Sequence, residues 1–348
     1  EFLLNFNQTI YSNFLKSEVI NNCKLINISF VDNVNTFSEN VFLLTSGAVR
    51  VKIIAFNPSV NSIRRLEDVS EGLSDAAFGY THLLFDKEPA AILFGAPPIT
   101  DELRFDNATF FSWFYSAGGS DLYDEFWDEL SLNIKGFILQ TSGPRALGWF
   151  REPLLSLEDL QGRRFRGSFD YTNEIHKRMG LSIVPMRAAD IIPELEKKNL
   201  DAASWCCPFS DLKLGLHDSV GNYYLQGISK NILNTDLYLN KDIYKNLSLL
   251  QKKAIEVAAS ASLIEHSSYF IYENGKALKE LVENYNVTLH KTPKRYFDKY
   301  QMVATKLLLE KAKENDFFAK VWQSQKDFSI VGYPFWSEIR TFEKRIYD

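Results

Sequence analysis

Short apolar strands alternate with amphipathic helices in two separate stretches of this chain, and that alternation leaves few folds open. In the first stretch, residues 25–30 (LINISF) read as a strand, and Thr36-Phe37-Ser38-Glu39 has the Thr/Glu spacing of a capping box that opens a helix ended by Gly47. Val49, Val51 and Ile53 then alternate with Arg50 and Lys52, the period of a strand with one wetter face. Residues 62–71 form an amphipathic helix stopped by Gly72, and Asp75-Ala76-Ala77-Phe78 begins a buried strand. The second stretch repeats the order: strand 163–167, helix 172–179, strand 182–186, helix 191–198 and strand 201–203. Strands separated by helices predict an α/β fold with mainly parallel sheets flanked by helices. The stretches also share a phrase, since Glu71-Gly72-Leu73-Ser74-Asp75-Ala76-Ala77 parallels Lys197-Lys198-Asn199-Leu200-Asp201-Ala202-Ala203. Internal duplication predicts two similar lobes facing a cleft; chance recurrence of a common turn is the alternative.

The last third reads as helix. Ser248 and Gln251 have capping-box spacing, apolar residues recur at Ala254, Val257, Ala258, Ala261, Ile264, Ile271, Leu278, Leu281 and Val282, and no proline interrupts residues 249–284. A single helix of roughly 50 Å follows from about 1.5 Å per residue. A further helix covers 294–314, and the aromatic tail Phe317, Phe318, Trp322, Phe335 and Trp336 needs either the body of the protein or another subunit to cover it.

Composition removes several classes of function. At 348 residues and 45% hydrophobic the chain can bury two cores, and a net charge of −5 with scattered basic residues leaves no footprint for nucleic acid or an anionic membrane. The longest apolar run, residues 90–98, is far short of the roughly 20 residues that cross a bilayer. Opening at Glu1 rather than methionine fits the processed form of a precursor that carried a signal peptide. Cys23, Cys206 and Cys207 give neither a disulfide framework nor a metal spacing, and adjacent cysteines close a strained ring. The five histidines, His82, His176, His217, His266 and His290, lack HxxxH, HxH or HExxH spacing, and no GxSxG, GxxxxGK[ST] or GxGxxG occurs. An enzyme would have to use Asp190 or Asp211 as base, or Cys206-Cys207 as a thiol, although buried cysteines are usually inert.

What chemistry remains is that of a binder. The run GRRFRGS puts Arg166 at the end of a short basic strand, with Phe165 beside it and a Trp/Pro/Tyr-rich run some forty residues on. A guanidinium forks onto two carboxylate oxygens, and aromatic walls exclude the water that would weaken those bonds. A surface arginine beside Arg163 and Arg164 is the alternative reading, as a packed core tryptophan is for Trp205.

These residues carry a resemblance to the extracytoplasmic solute-binding proteins of tripartite ATP-independent periplasmic (TRAP) transporters, the DctP-like family, nearest to its 2-oxo-acid and lactate branch. Four blocks in the family's order carry it: SDAAFGYTHLLFDKEPAAILFGAPP (74–98), WFYSAGGSDLYDEF (113–126), LQTSGPRALGWFREPLLSLEDLQGRRFRG (139–167) and LDAASWCCPFSDLKLGLH (200–217). The likeness runs from about Phe37 onward, and residues 1–22 match nothing in the family. It implies a two-lobed periplasmic solute-binding protein fold with a long lobe-spanning helix. Residues 1–142 with about 233–268 would be lobe I, 143–232 with about 269–348 lobe II, and the ligand cleft would lie between them.

The resemblance also implies roles. Arg166 matches the arginine that pairs with the substrate carboxylate, Trp205 and Pro208 the TrpxxxPro segment that lines the cleft, and Gln140 a glutamine that contacts a bound cation and the ligand. Trp113 and Tyr115 fall in the first-lobe block as lid or wall residues. The metal-assisted branch has glutamates where this chain is aligned to have Ser204 and Lys230, and a lysine repels Na⁺ or Ca²⁺. The expectation is a pocket with no metal and no cofactor, in which the Lys230 ammonium is a second partner for the anion; a slip of the alignment after Tyr224 would leave Lys230 merely exposed. The function implied is periplasmic capture of a small organic acid anion, a 2-oxo or hydroxy acid favoured, for delivery to TRAP permease subunits. C-terminal helices would pair two copies as a homodimer. An enzyme on a small carboxylate, or a sensor docking a receptor, are the alternatives.

Overall fold

The computed structural model describes residues 20–21, 28–52, 62–167, 171–227 and 232–347. The expectations for Cys23, for Ile53 and for Lys230 lie outside those residues. In chain order the strands are β1 (Ile20–Asn21), β2 (Val51–Lys52), β3 (Ala76–Gly79), β4 (Ile134–Thr141), β5 (Gly148–Phe150), β6 (Arg164–Gly167), β7 (Ser182–Pro185), β8 (Ala202–Ala203), β9 (Asn222–Tyr224), β10 (Asn234–Asn240) and β11 (Thr288–His290). Contacts divide the chain into unit 1 (Glu1–Tyr80, Tyr123–Thr141, Asn234–Ser268) and unit 2 (Thr81–Leu122, Ser142–Leu233, Tyr269–Asp348).

In unit 1, β10 is the middle strand of a three-stranded sheet, β3-β10-β4, and runs antiparallel to both neighbours. A mainly parallel sheet was expected here. A parallel pairing needs a local crossover, usually a helix, but β10 enters after a long excursion through unit 2, so no βαβ connection fixes its direction. Leu237 and Leu239 face a core with Phe37, Val41, Phe78, Phe137, Leu139 and Ile255, while Tyr238 between them packs edge-on to Trp127 with ring centroids 5.2 Å apart. Gly136 permits that aromatic face, because a Cβ there would lie 2.6 Å from the Trp127 indole nitrogen.

The first helix differs from the sequence reading. It spans Ile28–Leu44, so it takes in the end of the segment read as a strand and carries Thr36 and Glu39 in its interior. Phe37 and Val41, four apart on one face and both fully buried, hold this helix to the core. The capping-box spacing is therefore incidental. Gly47 ends the turn beyond it as expected, with φ +79° and its N–H donated to the Phe42 carbonyl.

Unit 2 holds a six-stranded sheet in the order β11-β9-β5-β8-β6-β7. It is parallel except for β5, which runs against β8 and β9. Helices Thr172–Arg178 and Ala188–Glu196 supply the crossovers read from the sequence. Trp149, Ile191, Leu195, Leu200, Ala203, Leu216 and Tyr223 form its core. The shared phrase is structural: Gly72 and Lys198, at its second position, have φ +76° and +60°, and each ends a helix before the chain enters a strand, β3 or β8. Lysine takes that left-handed turn at some cost in strain, which glycine avoids.

Residues 81–122 group with unit 2, whereas the sequence division placed them in lobe I. Their aromatics pack under the C-terminal helix, Asp316–Tyr347. The Phe105 ring lies 5.9 Å from that of Phe328, Gln325 donates to the Leu93 carbonyl at 2.8 Å, and Asp106 accepts from Trp336 and Arg340, both at 2.8 Å. Phe317, Phe318 and Trp322 are buried the same way, so the body covers the first half of the aromatic tail. The helix Leu249–Asn284 runs unbroken for 36 residues behind the expected capping box, in which Ser248 and Gln251 exchange hydrogen bonds of 2.9 and 3.3 Å. The unit boundary falls within it, at Ser268/Tyr269. No helix among the described residues is long and apolar enough to cross a membrane.

Candidate functional site

Parallel strands β7, β6 and β8 all end at one edge of the unit 2 sheet, with Arg166 in register with Val184 on one side and Ala203 on the other. The residues that follow them, Met186 and Ser204-Trp205, therefore meet Arg166 at that edge. In open α/β sheets ligands bind outside the carboxyl ends of the strands.

Arg166 is only 5% exposed. Its Nε and Nη2 both donate to the Met186 carbonyl, at 3.3 and 2.9 Å, and its Nη1 donates to the Ser204 carbonyl at 3.0 Å. The guanidinium carbon lies 5.2 Å from the centroid of the Trp205 ring. These carbonyls hold the group in one plane without cancelling its charge, so its orientation is set before any ligand arrives. Gly167 lets the next helix close over the strand end, since a Cβ there would lie 2.2 Å from the Asn173 side-chain oxygen.

A second guanidinium reaches the same segment. Arg145 Nη1 donates to the Trp205 carbonyl at 3.2 Å, and the neighbouring Ala146 N–H donates to the Cys206 carbonyl at 3.1 Å. Gly148 allows this approach: its φ is +142°, and a Cβ would lie 2.6 Å from the Ala203 carbonyl oxygen. Consecutive carbonyls, Ser204 and Trp205, thus each accept from a different arginine.

Beneath the segment lies Asp211, with no exposed surface. Its carboxylate accepts from the Cys206 N–H and the Trp149 indole N–H, both at 2.9 Å, and from the Tyr223 hydroxyl at 3.1 Å. Burial pushes its pKa from 3.8 up to about 7, against the pull of those three donors. Trp149 and Tyr223 stack with centroids 4.1 Å apart, so the acceptor sits in a rigid cage. An acid so enclosed cannot reach a substrate, which removes Asp211 as a catalytic base.

Arg166, Ser204 and Trp205 are thus brought together, and Pro208 follows at the first turn of helix Pro208–Leu214. Gln140 belongs to unit 1, on β4 opposite Thr235; it is 1% exposed, and its amide oxygen has no hydrogen-bond partner among the described residues. Trp113 is a core residue of unit 2, stacked at 6.2 Å on Phe105 with its indole N–H donated to Ser324 at 3.1 Å. It is not gathered at the Arg166 edge, because Phe94, Phe105, Phe110 and Phe114 and a long-range hydrogen bond fill its surface. Tyr115 is half exposed and packs on Phe111 and Phe114. The sequence reading missed Arg145 and the clamping role of Asp211. Arg145 stood inside a quoted block, yet no local spacing says that its side chain returns to a carbonyl sixty residues on.

Comparison with known proteins gives the family and the fold. The model of the family described as bacterial extracellular solute-binding protein, family 7 (DctP), matches residues 29–314. A curated relative, the monocarboxylate 2-oxoacid-binding periplasmic protein of Nostoc sp., is 21% identical over 293 residues, which are 84% of this chain and 78% of that protein. Two solved structures share the fold. A TRAP periplasmic solute-binding protein from Colwellia psychrerythraea, with bound calcium and pyruvate, has a TM-score of 0.81 and 22% identity over 91% of this chain and 95% of its own. A TRAP transporter solute-binding protein from Bordetella bronchiseptica, a dimer with calcium and picolinate in its active site, has a TM-score of 0.79 and 20% identity over 92% and 96%.

Both of those structures hold calcium, a hard cation that takes about six to eight oxygen ligands. The Trp205 carbonyl already accepts from Arg145, so a metal ion at that oxygen would lie against a fixed positive charge, and Ser204 stands where the resemblance puts a glutamate. Among the described residues no group of three or more His, Cys, Asp or Glu could hold a metal ion. With four-fifths of its length matched by the family model, the chain belongs to the DctP family, bacterial extracellular solute-binding protein family 7, and is a periplasmic solute-binding protein of the TRAP type.

Proposed function

We propose that the chain captures a small monocarboxylate of the 2-oxo or hydroxy acid class on Arg166 and delivers it unchanged to a TRAP permease. One observation carries the reading: a nearly buried guanidinium, oriented by the Met186 and Ser204 carbonyls beside the Trp205 ring. The 2-oxoacid and pyruvate named for its relatives favour this ligand class. Arg145, fixed on the neighbouring carbonyl, adds a second positive charge at the same segment. Binding raises the population of whichever conformation makes these contacts, and that differential affinity is what a permease can read.

The chain does no chemistry on its ligand. Asp211 is enclosed, and Asp190 stands exposed in the first turn of helix Ala188–Glu196. Two copies pair through the distal half of the C-terminal helix, where Ile330, Val331, Phe335, Ile339 and Phe342 form an exposed apolar stripe at helical spacing. The test is a thermal-shift screen of pyruvate, lactate, other small monocarboxylates, dicarboxylates and sulfonates, followed by mass analysis of the recovered acid. A 2-oxo or hydroxy monocarboxylate should raise the melting temperature most and be recovered intact. Stabilisation by none of them, or conversion of the acid, would refute the reading.

A further inference from the structure

Cys206 and Cys207 directly follow Trp205, and the mechanism of capture uses neither. Both are buried, 6% and 4% exposed, and their Sγ atoms lie 3.1 Å apart. The backbone around them is engaged at three points: the Cys206 N–H donates to Asp211, the Cys206 carbonyl accepts from Ala146, and the Cys207 carbonyl accepts from the Asp211 N–H, at 2.9, 3.1 and 2.9 Å. The first two bonds fix the Trp205 end of the segment on which both arginines rest.

We propose that Cys206 and Cys207 are a redox pair that closes into a disulfide between adjacent residues and thereby loosens the segment carrying Ser204 and Trp205. The periplasm, where this chain acts, is a compartment in which thiols are oxidised. Consecutive Cα atoms across a trans peptide stand about 3.8 Å apart, below the roughly 4.4–6.8 Å of ordinary disulfides. The closed ring is strained, and strained disulfides are the readily reduced, regulatory kind. Closing it turns the Cys206-Cys207 peptide and pulls the Cys206 carbonyl from Ala146 or the Cys207 carbonyl from Asp211. The oxidant is a disulfide. One cysteine loses a proton and its thiolate attacks a sulfur of the oxidant, which leaves a mixed disulfide and expels one thiolate. The second cysteine loses its proton and attacks the protein sulfur of that mixed disulfide, expelling the other. Two protein thiols are oxidised by two electrons, and the oxidant becomes two thiols.

The consequence for affinity rests on the proposed capture of a carboxylate, but closure itself does not, so the two are measured separately. In a Cys23→Ser background, the protein is equilibrated in glutathione buffers of increasing oxidised fraction and then quenched with acid. Intact mass and thiol titration under denaturing conditions report closure. Hydrogen exchange at the Ala146, Cys206 and Asp211 amides reports loosening with no ligand present. Pyruvate binding by calorimetry reports the coupling. The expected results are a loss of 2 mass units with both thiols gone, faster exchange at the Ala146 amide, the Asp211 amide or both, and about tenfold weaker pyruvate binding, as losing one or two main-chain hydrogen bonds would give. The Cys206→Ser/Cys207→Ser variant should show none of these changes. Two thiols persisting in fully oxidised buffer overturn the proposal, as does closure without faster exchange. Closure and faster exchange with pyruvate affinity unchanged overturn the coupling to the ligand site alone. Failure of the reduced protein to bind pyruvate strikes the capture reading and leaves the redox pair standing on mass and exchange.

Discussion

Replacing Asp211 by asparagine should remove a pH dependence that the buried carboxylate imposes on stability. Its pKa is raised from 3.8 in the unfolded chain to about 7 in the folded one, so between these values the folded state holds a proton that the unfolded state releases. The stability this group contributes is fully present below about pH 4 and is lost as pH rises through about 7. At 1.36 kcal/mol per unit, the three-unit shift amounts to about 4 kcal/mol, of which about 2.5 kcal/mol disappears between pH 5 and pH 8. Asp211→Asn cannot titrate. It also turns an amide N–H₂ toward one of the three donors from Cys206, Trp149 and Tyr223, at a cost of about 1–3 kcal/mol for the donor left unpaired. Urea unfolding, followed by tryptophan fluorescence at several pH values, gives both terms. The stability gap between wild type and Asp211→Asn should be widest at pH 5 and shrink by about 2.5 kcal/mol at pH 8, and other titrating groups cancel in that difference. A gap constant across this range would refute the reasoning.

Arg145→Gln should weaken pyruvate binding about tenfold and flatten its dependence on ionic strength, while wild-type affinity should change less than about twofold when calcium is added or sodium is exchanged for potassium. A strong calcium dependence in the wild type would instead show that a metal ion takes part in binding. Phe335→Glu, which sets a charge in the exposed stripe of the C-terminal helix, should convert dimer to monomer in sedimentation and leave the melting of the monomer unchanged; a wild type that sediments as a monomer contradicts the pairing.

Features written in local sequence were the legible ones. Ser248 and Gln251 are three residues apart and bond to each other, so their capping box needs no tertiary knowledge, and the proline-free run behind it continues to Asn284. The strand-helix alternation between Arg164 and Ala203 is equally local, and it delivered both the sheet edge and Arg166 on it. Thr36 and Glu39 had the same cap-like spacing, but there burial of Phe37 and Val41 carries the helix past them. Long-range packing was invisible: Trp113 reads alike as wall or core until Ser324, more than two hundred residues on, accepts its indole N–H. The direction of β10 and the return of Arg145 to Trp205 have the same origin, since each is decided by a partner distant in sequence.

The most direct measurement is titration calorimetry of pyruvate, or of whichever acid stabilises the protein most, against wild type and Arg166→Ala. Losing a buried charge-assisted pair costs about 2–5 kcal/mol, so the variant should bind at least about thirtyfold more weakly while keeping its fold by circular dichroism. A folded Arg166→Ala protein that binds the acid within about threefold of wild type would contradict the claim that this guanidinium is the anchor.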